Sequence, residues 1–215
     1  MKKGLTELVF ILDRSGSMQG LEKDTIGGYN ALVSKQKGEM GEAVMTTVLF
    51  DDQYEILHDR IGIAGIRPIS EKEYFVRGTT ALLDAVGRTI KKIINVQRNT
   101  APEEQAEKVL FVITTDGLEN ASREYTYKQI KEMIQYQKEK YGWEFIFLGA
   151  NIDAVAEAEK FGIESSRAAR FHNDSEGIEL NYAELSEAIS EMRFSCEISD
   201  NWKSKIDGDY EKRKK

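Results

Sequence analysis

The stretch "VFILDRSGSM", residues 9–18, decides how this chain folds. An apolar run that reads as a buried strand ends on Asp13, and the hydroxyls of Ser15 and Ser17 follow two and four positions later. One hydroxyl after a strand is common, because serine and aspartate favour turns and helix N-caps. A carboxylate and two hydroxyls at this spacing predict instead that several oxygens point to one place, and oxygen ligands suit a hard cation.

Strand-like and helix-like segments alternate along the chain on either side of this stretch. Apolar runs over 5–12, 108–117 and 143–151 are typical of buried strands, and apolar residues at helical spacing follow each run. Residues 43–59 contain two extended segments joined by an acidic turn, which predicts a β-hairpin. Strands this apolar are covered on both faces, so we predict an α/β fold with a mostly parallel sheet between two layers of helices.

A long helix is predicted near the end of the chain. We favour the docking of this helix on the sheet over a dimer seam, because the repeat is too short for a coiled coil, and we therefore expect a monomer rather than a homodimer. We predict one domain over 1–200, this helix included, and a charged, partly disordered tail over 201–215. The apolar residues of the helix repeat in steps of four and three: Ile178, Tyr182, Leu185, Ile189, Met192 and Cys196.

The composition is that of a soluble globular protein. The net charge is -7, which argues against nucleic acid as a partner because phosphate binding needs a basic face. Cys196 is the only cysteine and forms no intrachain disulfide; we read it as a small buried residue of the last helix. No apolar run approaches the roughly 20 residues of a membrane span, and Glu7 interrupts the N-terminal apolar run that a signal peptide needs. We therefore expect a cytoplasmic protein that does not bind membranes.

Three loops are expected to bring oxygen-bearing side chains to one edge of the sheet. Asp13 ends one strand and Asp116 ends another, and ligands of open α/β sheets bind outside the carboxyl ends of the strands. Between them lies "GTTALLDA" (78–85), a turn that leads into a helix and carries Thr79 and Thr80. Ligands that are all oxygens suit Mg²⁺, Mn²⁺ or Ca²⁺ better than zinc or copper.

These three motifs together resemble the metal-ion-dependent adhesion site of von Willebrand factor type A domains. "DRSGS" (13–17) resembles the DxSxS signature of that family, "GTTALLDA" resembles its threonine loop, and "TTDG" (114–117) resembles its later Asp-Gly. The order of strands and helices also fits the family over about residues 5–195. The resemblance implies a doubly wound, Rossmann-like sheet of six strands, mostly parallel, with one antiparallel edge strand.

The same resemblance implies a set of metal ligands. Ser15 and Ser17 would bind the cation directly through their hydroxyls, and the two aspartates would bind directly or through water. Thr80 matches the threonine of the family's loop, and Thr79 is the alternative. The implied cation is Mg²⁺, or else Mn²⁺ or Ca²⁺, and the implied ligands are Asp13, Ser15, Ser17, Thr80 and Asp116.

A cation held by neutral hydroxyls keeps much of its positive charge, and this predicts the function. Its remaining position attracts an external carboxylate, which in the family comes from an Asp or Glu of a partner protein. We therefore expect a metal-dependent protein-interaction module and not an enzyme. Small stand-alone intracellular members of the family occur in bacteria and phages, and this chain is similar to them.

A Mg²⁺-dependent hydrolase of phosphoesters is the alternative function. Such enzymes of the dehalogenase type carry Asp-x-Asp after the first strand, whereas Ser15 stands at the third position here. His58 and His172 are isolated in the sequence, so neither is nominated as a general base. A receiver domain would need an acidic pair after its first strand; Asp51-Asp52 comes later and reads as a hairpin turn that keeps an edge soluble. Arg14 either donates beside the metal or, as we favour, pairs with a surface carboxylate.

Overall fold

The computed structural model describes residues 1–150, 152–195 and 197–213 of the chain. The expected buried position of Cys196 lies outside these residues, as do Lys214 and Lys215 at the end of the expected tail. In the part of the chain that is described, no helix has both the length and the apolar character to cross a membrane.

One mixed sheet of six strands forms the centre of the fold. The strands are β1 (Lys2–Asp13), β2 (Glu42–Phe50), β3 (Tyr54–Gly62), β4 (Ala106–Thr115), β5 (Glu144–Ala150) and β6 (Ala168–Phe171). Their order across the sheet is β3-β2-β1-β4-β5-β6. All neighbours pair in parallel except β2 and β3, which form an antiparallel hairpin at one edge. The predicted sheet, mostly parallel with one antiparallel edge strand, is confirmed.

Six helices cover the two faces of this sheet. They are α1 (Glu22–Lys37), α2 (Leu82–Asn99), α3 (Tyr127–Tyr141), α4 (Ala154–Phe161), α5 (Ser175–Ser195) and α6 (Ser204–Arg213). One core contains side chains of α1, α5 and α6, and the other contains side chains of α2, α3 and α4. Successive residues of β1 alternate between them: Phe10 packs in the first core and Ile11 in the second. Both faces of β1 are therefore apolar over residues 8–12, which explains the hydrophobic run that follows Glu7.

Helix α5 packs against α1 of the same chain, as the sequence led us to favour. The apolar residues of its predicted repeat from Ile178 to Met192 are buried in the first core. The two helices approach closely at Gly28 of α1, where an added Cβ would lie 2.3 Å from Cδ2 of Tyr182. Gly28 therefore leaves room for the Tyr182 ring between the helices.

Residues 201–213 differ from the charged tail that we expected. They include helix α6, and both Trp202 and Ile206 are buried in the first core. Trp202 donates its indole N–H to the carbonyl of Ser166 across 2.9 Å, and the ring of Tyr210 stacks on that of His172 at 4.7 Å. The prediction failed because two apolar residues among many charged ones do not produce a clear helical pattern, yet they suffice to anchor a short helix beside β6.

Candidate metal centre

Asp13 and Asp116 lie at the same edge of the sheet because the strands that precede them are neighbours. β1 and β4 pair in parallel, with Leu12 opposite Thr114, so both strands end at the same edge of the sheet. Asp13 is the last residue of β1, and Asp116 follows directly after β4. Both are buried.

Three hydroxyl groups form a hydrogen-bonded chain that ends on the Asp116 carboxylate at this edge. Thr80 Oγ1 donates to Ser15 Oγ across 3.0 Å, and Ser15 Oγ lies 3.0 Å from Ser17 Oγ. Ser17 Oγ donates in turn to Asp116 Oδ1 across 2.5 Å. We call Asp13, Ser15, Ser17, Thr80 and Asp116 the oxygen cluster. The structure thus brings the five predicted residues together from three loops.

Asp13 fixes the loop that carries the two serines. Its Oδ1 accepts the backbone N–H of Ser15 across 2.7 Å, and its Oδ2 accepts the hydroxyl of Thr115 across 2.6 Å. The hydroxyl of Tyr74 donates to its backbone carbonyl across 2.6 Å. The carboxylate therefore holds the turn after β1 and links it to the end of β4.

Of the two candidate threonines, the structure places Thr80 in the oxygen cluster. Thr80 is 3% exposed, whereas Thr79 lies exposed to solvent. Asn120 holds the backbone of Thr80 on both sides: its Oδ1 accepts the Thr80 N–H across 2.9 Å, and its own N–H donates to the Thr80 carbonyl across 3.0 Å. This pair of bonds orients the Thr80 hydroxyl toward Ser15.

The spacing of the oxygens fits a small hard cation. An octahedral Mg²⁺ site has metal–oxygen distances of about 2.0–2.1 Å, so adjacent ligands lie about 3 Å apart. The distances of 3.0 Å from Ser15 Oγ to its two hydroxyl neighbours meet this requirement. Gly117 leaves space between those hydroxyls, because an added Cβ would lie 3.1 Å from both Ser17 Oγ and Thr80 Oγ1. A larger residue at 117 would crowd the position that a cation needs.

Burial makes the negative charge of the oxygen cluster costly. It raises the pKa of Asp13 to about 6, against the opposing effect of the hydrogen bonds from Thr115 and Ser15. Burial also raises the pKa of Asp116, again against hydrogen bonds that lower it. Buried charges need a partner of opposite sign, and a divalent cation among these oxygens would supply it.

The donor chemistry favours Mg²⁺, Mn²⁺ or Ca²⁺ over softer metals. Two carboxylates and three hydroxyls offer oxygen alone, without the nitrogen and sulfur ligands that typical zinc sites use. Within 1–150, 152–195 and 197–213, no group of three or more His, Cys, Asp or Glu side chains could hold a metal ion. A cation in the oxygen cluster would therefore need hydroxyl ligands in addition to the two carboxylates.

Two asparagines that the sequence analysis did not single out support the cluster. Asn120 holds Thr80, as described above, and Asn173 donates its side-chain N–H to Asp116 Oδ2 across 3.2 Å. Asn173 follows β6, whose carboxyl end lies at the same edge of the sheet as those of β1 and β4. That position after a parallel strand was the signal that could have identified it.

Arg14 lies inside the DxSxS motif but bonds away from the oxygen cluster. It pairs with a surface carboxylate, as we favoured: Arg14 Nη2 lies 2.8 Å from Oε2 of Glu55, whose side chain is 49% exposed. A second pairing is buried: Arg14 and Asp51 are both 0% exposed, and Arg14 Nε lies 3.0 Å from Asp51 Oδ2. The backbone N–H of Arg14 donates to the carbonyl of Phe50, the residue that directly precedes Asp51. This bond brings Arg14 close to the β2–β3 turn. The prediction that Asp51 only keeps an edge soluble is therefore wrong.

Both histidines form contacts outside the oxygen cluster. His58 Nδ1 lies 3.1 Å from Thr47 Oγ1, and burial lowers the pKa of its imidazole. His172 stacks on Tyr210, and its Nε2 lies 3.1 Å from the Tyr210 carbonyl. Each imidazole thus has a structural explanation in the core or at the α6 contact.

Comparison with known proteins identifies the fold. No protein-family model matches the chain, and no curated protein matches it in sequence. Solved structures do match: the ArnB paralog VWA2 from Sulfolobus acidocaldarius is 18% identical with a TM-score of 0.54, over 89% of this chain and 45% of that chain. A von Willebrand factor type A protein from Catenulispora acidiphila is 14% identical with a TM-score of 0.55, over 85% of this chain and 42% of that one.

A third similar structure is of a protein with metal bound. Proximal thread matrix protein 1 from the mussel byssus, with a zinc-occupied MIDAS motif, is 14% identical with a TM-score of 0.58, over 86% of this chain and 46% of that chain. The present chain spans less than half the length of each of these three proteins. At such identities the likeness shows the fold, which is that of a von Willebrand factor type A domain.

Proposed function

We propose that this chain, which has the von Willebrand factor type A fold, binds a divalent cation and through it a carboxylate of a partner protein. The observation that carries the proposal is the oxygen cluster itself: hydroxyls from two loops contact one another and the buried Asp116, and the buried Asp13 holds the backbone of Ser15. Its members come from three separate segments of the chain, so local turn chemistry does not explain why they meet.

The cation would remain strongly electrophilic in this site. Hydroxyl oxygens donate less charge than carboxylates, and hydrogen bonds from Thr115 and Asn173 already engage Asp13 and Asp116. A cation with such ligands gains most from one further anionic oxygen. Mg²⁺ fits the spacing of the hydroxyls, and Mn²⁺ or Ca²⁺ are the alternatives. The zinc in the mussel protein shows that a divalent metal occupies the corresponding motif there.

A partner can reach the oxygen cluster from solvent. Ser17 lies exposed, and Asp116 lines a cleft of about 550 Å³ that opens beside it. Leu118 and Ile152 add apolar surface to the walls of this cleft, and Asp153 and Lys160 add charge. Such a cleft accommodates a short segment of a partner with an Asp or Glu at the metal.

Recognition is favoured over hydrolysis by what surrounds the cluster. The hydrolase alternative needs a second carboxylate two positions after Asp13 as an acid or base, and Ser15 occupies that position. His58 and His172 bond to other groups, as described above. We therefore propose a binding module without catalytic activity. Its location in the cytoplasm and its monomeric state stay predictions.

Metal-dependent capture tests this function. The wild-type chain immobilised with Mg²⁺ should retain a partner from native cells and release it in EDTA. Asp13→Asn should retain none, whereas Thr79→Ala, which changes an exposed neighbour of the cluster, should behave like wild type. In the captured partner, replacement of one Asp or Glu by its amide should abolish binding.

Two results would contradict the proposal. Retention of the same partner in EDTA would show that binding does not pass through a metal. Metal-dependent turnover of a generic phosphoester, lost in Ser15→Ala, would establish the hydrolase in its place.

A further inference from the structure

Asp51 holds two arginines that come from different loops. Its Oδ2 lies 3.0 Å from Nε of Arg14, in the loop after β1, and 2.6 Å from Nε of Arg77, in the loop before α2. Its Oδ1 accepts the backbone N–H of Gln53 across 2.6 Å. Every oxygen of this fully buried carboxylate is thus engaged, and one of them is shared by two guanidinium groups.

Backbone hydrogen bonds join the same three segments. The Arg77 N–H donates to the Arg14 carbonyl across 2.9 Å, and the Gly16 N–H donates to the Gly78 carbonyl across 3.2 Å. The Ala81 N–H donates to the carbonyl of Asp51 across 2.9 Å. Segments 14–16, 51–53 and 77–81 therefore form one hydrogen-bonded unit, with the Asp51 side chain at its centre.

Two of these three segments carry members of the oxygen cluster. Ser15 follows Arg14 directly, and Thr80 lies between Gly78 and Ala81. The unit therefore sets the relative position of the Ser15 and Thr80 hydroxyls, which lie 3.0 Å apart. A shift of either segment by a fraction of an ångström would change the spacing on which binding of a small cation depends.

Contacts outside the unit hold the arginines in place. Arg14 Nη2 lies 2.8 Å from Glu55 Oε2, and the guanidinium groups of both Arg14 and Arg77 lie 5.3 Å from the ring centre of Phe75. Because Arg14 is fully buried and held by these contacts, a change at Asp51 would alter the loop that carries Arg14.

We propose that Asp51 is a positioning residue for the metal centre, acting through Arg14 and Arg77 on the spacing of Ser15 and Thr80. This inference rests on the proposed metal binding. Asp51 itself touches no member of the oxygen cluster through its side chain, so its effect passes through the two arginines.

Metal affinity separates positioning from general stability. Mn²⁺ alone serves as the probe, with free Mn²⁺ measured by electron paramagnetic resonance on the full chain. Asp51→Asn should bind Mn²⁺ at least about tenfold more weakly than wild type. The matched control is Glu7→Gln, which removes another fully buried carboxylate paired with an arginine, Arg60, at 2.8 Å. Glu7 lies six residues before Asp13, about 20 Å along β1, and its loss should leave the affinity unchanged within about twofold.

A second variant covers the case in which Asp51→Asn does not fold. Arg77→Gln removes one of the two guanidinium groups that share Asp51 Oδ2. The Arg77 side chain is 37% exposed, so the fold should tolerate the change. We expect a loss of Mn²⁺ affinity of about threefold, smaller than for Asp51→Asn because Arg14 stays paired. Wild-type affinity in both variants, or an equal loss in Glu7→Gln, would overturn the positioning role.

Amide exchange without metal distinguishes this proposal from the proposed function. In Asp51→Asn the amide protons of Gly16 and Arg77 should exchange at least about tenfold faster, while those of β4 and β5 stay unchanged. If exchange is faster in Asp51→Asn but wild type binds no Mn²⁺, the unit exists and the proposed metal function is wrong. If exchange is unchanged in Asp51→Asn and wild type does bind Mn²⁺, only the positioning role of Asp51 is overturned.

Discussion

Thr80 Oγ1 donates a hydrogen bond to Ser15 Oγ across 3.0 Å, although 65 positions separate the two residues in the chain. One residue lies in the loop after β1 and the other just before α2, and both loops lie at the carboxyl edge of the sheet. Local sequence preferences do not bring two distant hydroxyls into contact at this edge. Their contact is a property of the fold, and it identifies which threonine belongs to the candidate metal centre.

Replacement of the two threonines should therefore have unequal effects. Thr80→Val removes the hydroxyl and keeps the shape of the side chain, and we expect Mn²⁺ or Mg²⁺ binding to weaken by about tenfold, or about 1.4 kcal/mol. Thr79→Val changes an exposed side chain and should leave the affinity unchanged. Titration calorimetry measures both. Equal losses, or a larger loss for Thr79→Val, would show that the loop turns differently from its structure here.

Divalent metal should stabilise the folded chain. A ligand that binds the native state alone at 100 times its Kd adds about 2.7 kcal/mol to the free energy of unfolding. Mg²⁺ or Mn²⁺ should therefore raise the melting temperature of wild type, and Asp13→Asn should abolish the rise, because Asp13 holds the serine loop. Scanning calorimetry with and without EDTA gives the comparison. A rise of the same size in Asp13→Asn would remove Asp13 from the site.

The parallel strands and the oxygen cluster could be predicted because their signals are local. The run that ends on Asp13 and the run that ends before Asp116 are apolar enough to be buried on both faces, and parallel strands end at one edge. The residue pattern alone did not distinguish Thr79 from Thr80, since adjacent residues differ only in the direction that the loop gives them, and only the family resemblance favoured Thr80.

What escaped prediction depends on contacts between distant segments. Asp51 reads as a surface turn residue until Arg14 and Arg77 are seen to pair with it. Asn173 reads as an ordinary loop residue until β6 is placed beside β5. In each case a polar side chain bonds to partners from distant segments that no periodic pattern predicts, so hydrophobic periodicity alone cannot identify it.

Two adjacent glycines of α1 should respond in opposite ways to alanine. A Cβ at Gly27 meets no atom within 4 Å, so Gly27→Ala should stabilise the chain by up to about 1 kcal/mol through higher helix propensity. A Cβ at Gly28 would lie 2.3 Å from the Tyr182 ring, so Gly28→Ala should force α5 away and cost about 1–3 kcal/mol. Urea unfolding of both variants measures the difference. A stable Gly28→Ala would mean that α5 packs less closely on α1.

Trp202 should be essential to the stability of the domain. It is 6% exposed in the first core and bonds to Ser166 through its indole N–H. Trp202→Ala should therefore lower the free energy of unfolding by about 3–5 kcal/mol. Lys212→Ala, in the last turn of α6, is the control and should change it by less than about 0.5 kcal/mol. If Trp202→Ala were as stable as wild type, the result would support the charged tail that we expected from the sequence in place of an anchored helix.

Glu7 should make the stability of the chain depend on pH. Its burial raises the pKa of the carboxyl above the usual value of 4.5, and the ion pair with Arg60 offsets this only in part. Between 4.5 and the raised value, the folded chain keeps a proton that the unfolded chain has released. The free energy of unfolding contributed by Glu7 therefore falls as pH rises through this window, by at most about 1.4 kcal/mol per pH unit.

Urea unfolding of wild type and Glu7→Gln from pH 4 to pH 8 isolates this contribution. Glutamine resembles the protonated carboxyl and does not titrate, so the stability of Glu7→Gln relative to wild type should increase above pH 4.5 and then level off. Glu71→Gln, which changes an exposed carboxyl, should run parallel to wild type throughout. The opposite trend, with wild type gaining on Glu7→Gln as pH rises, would mean that Arg60 and Gln97 stabilise the charged form more than burial disfavours it.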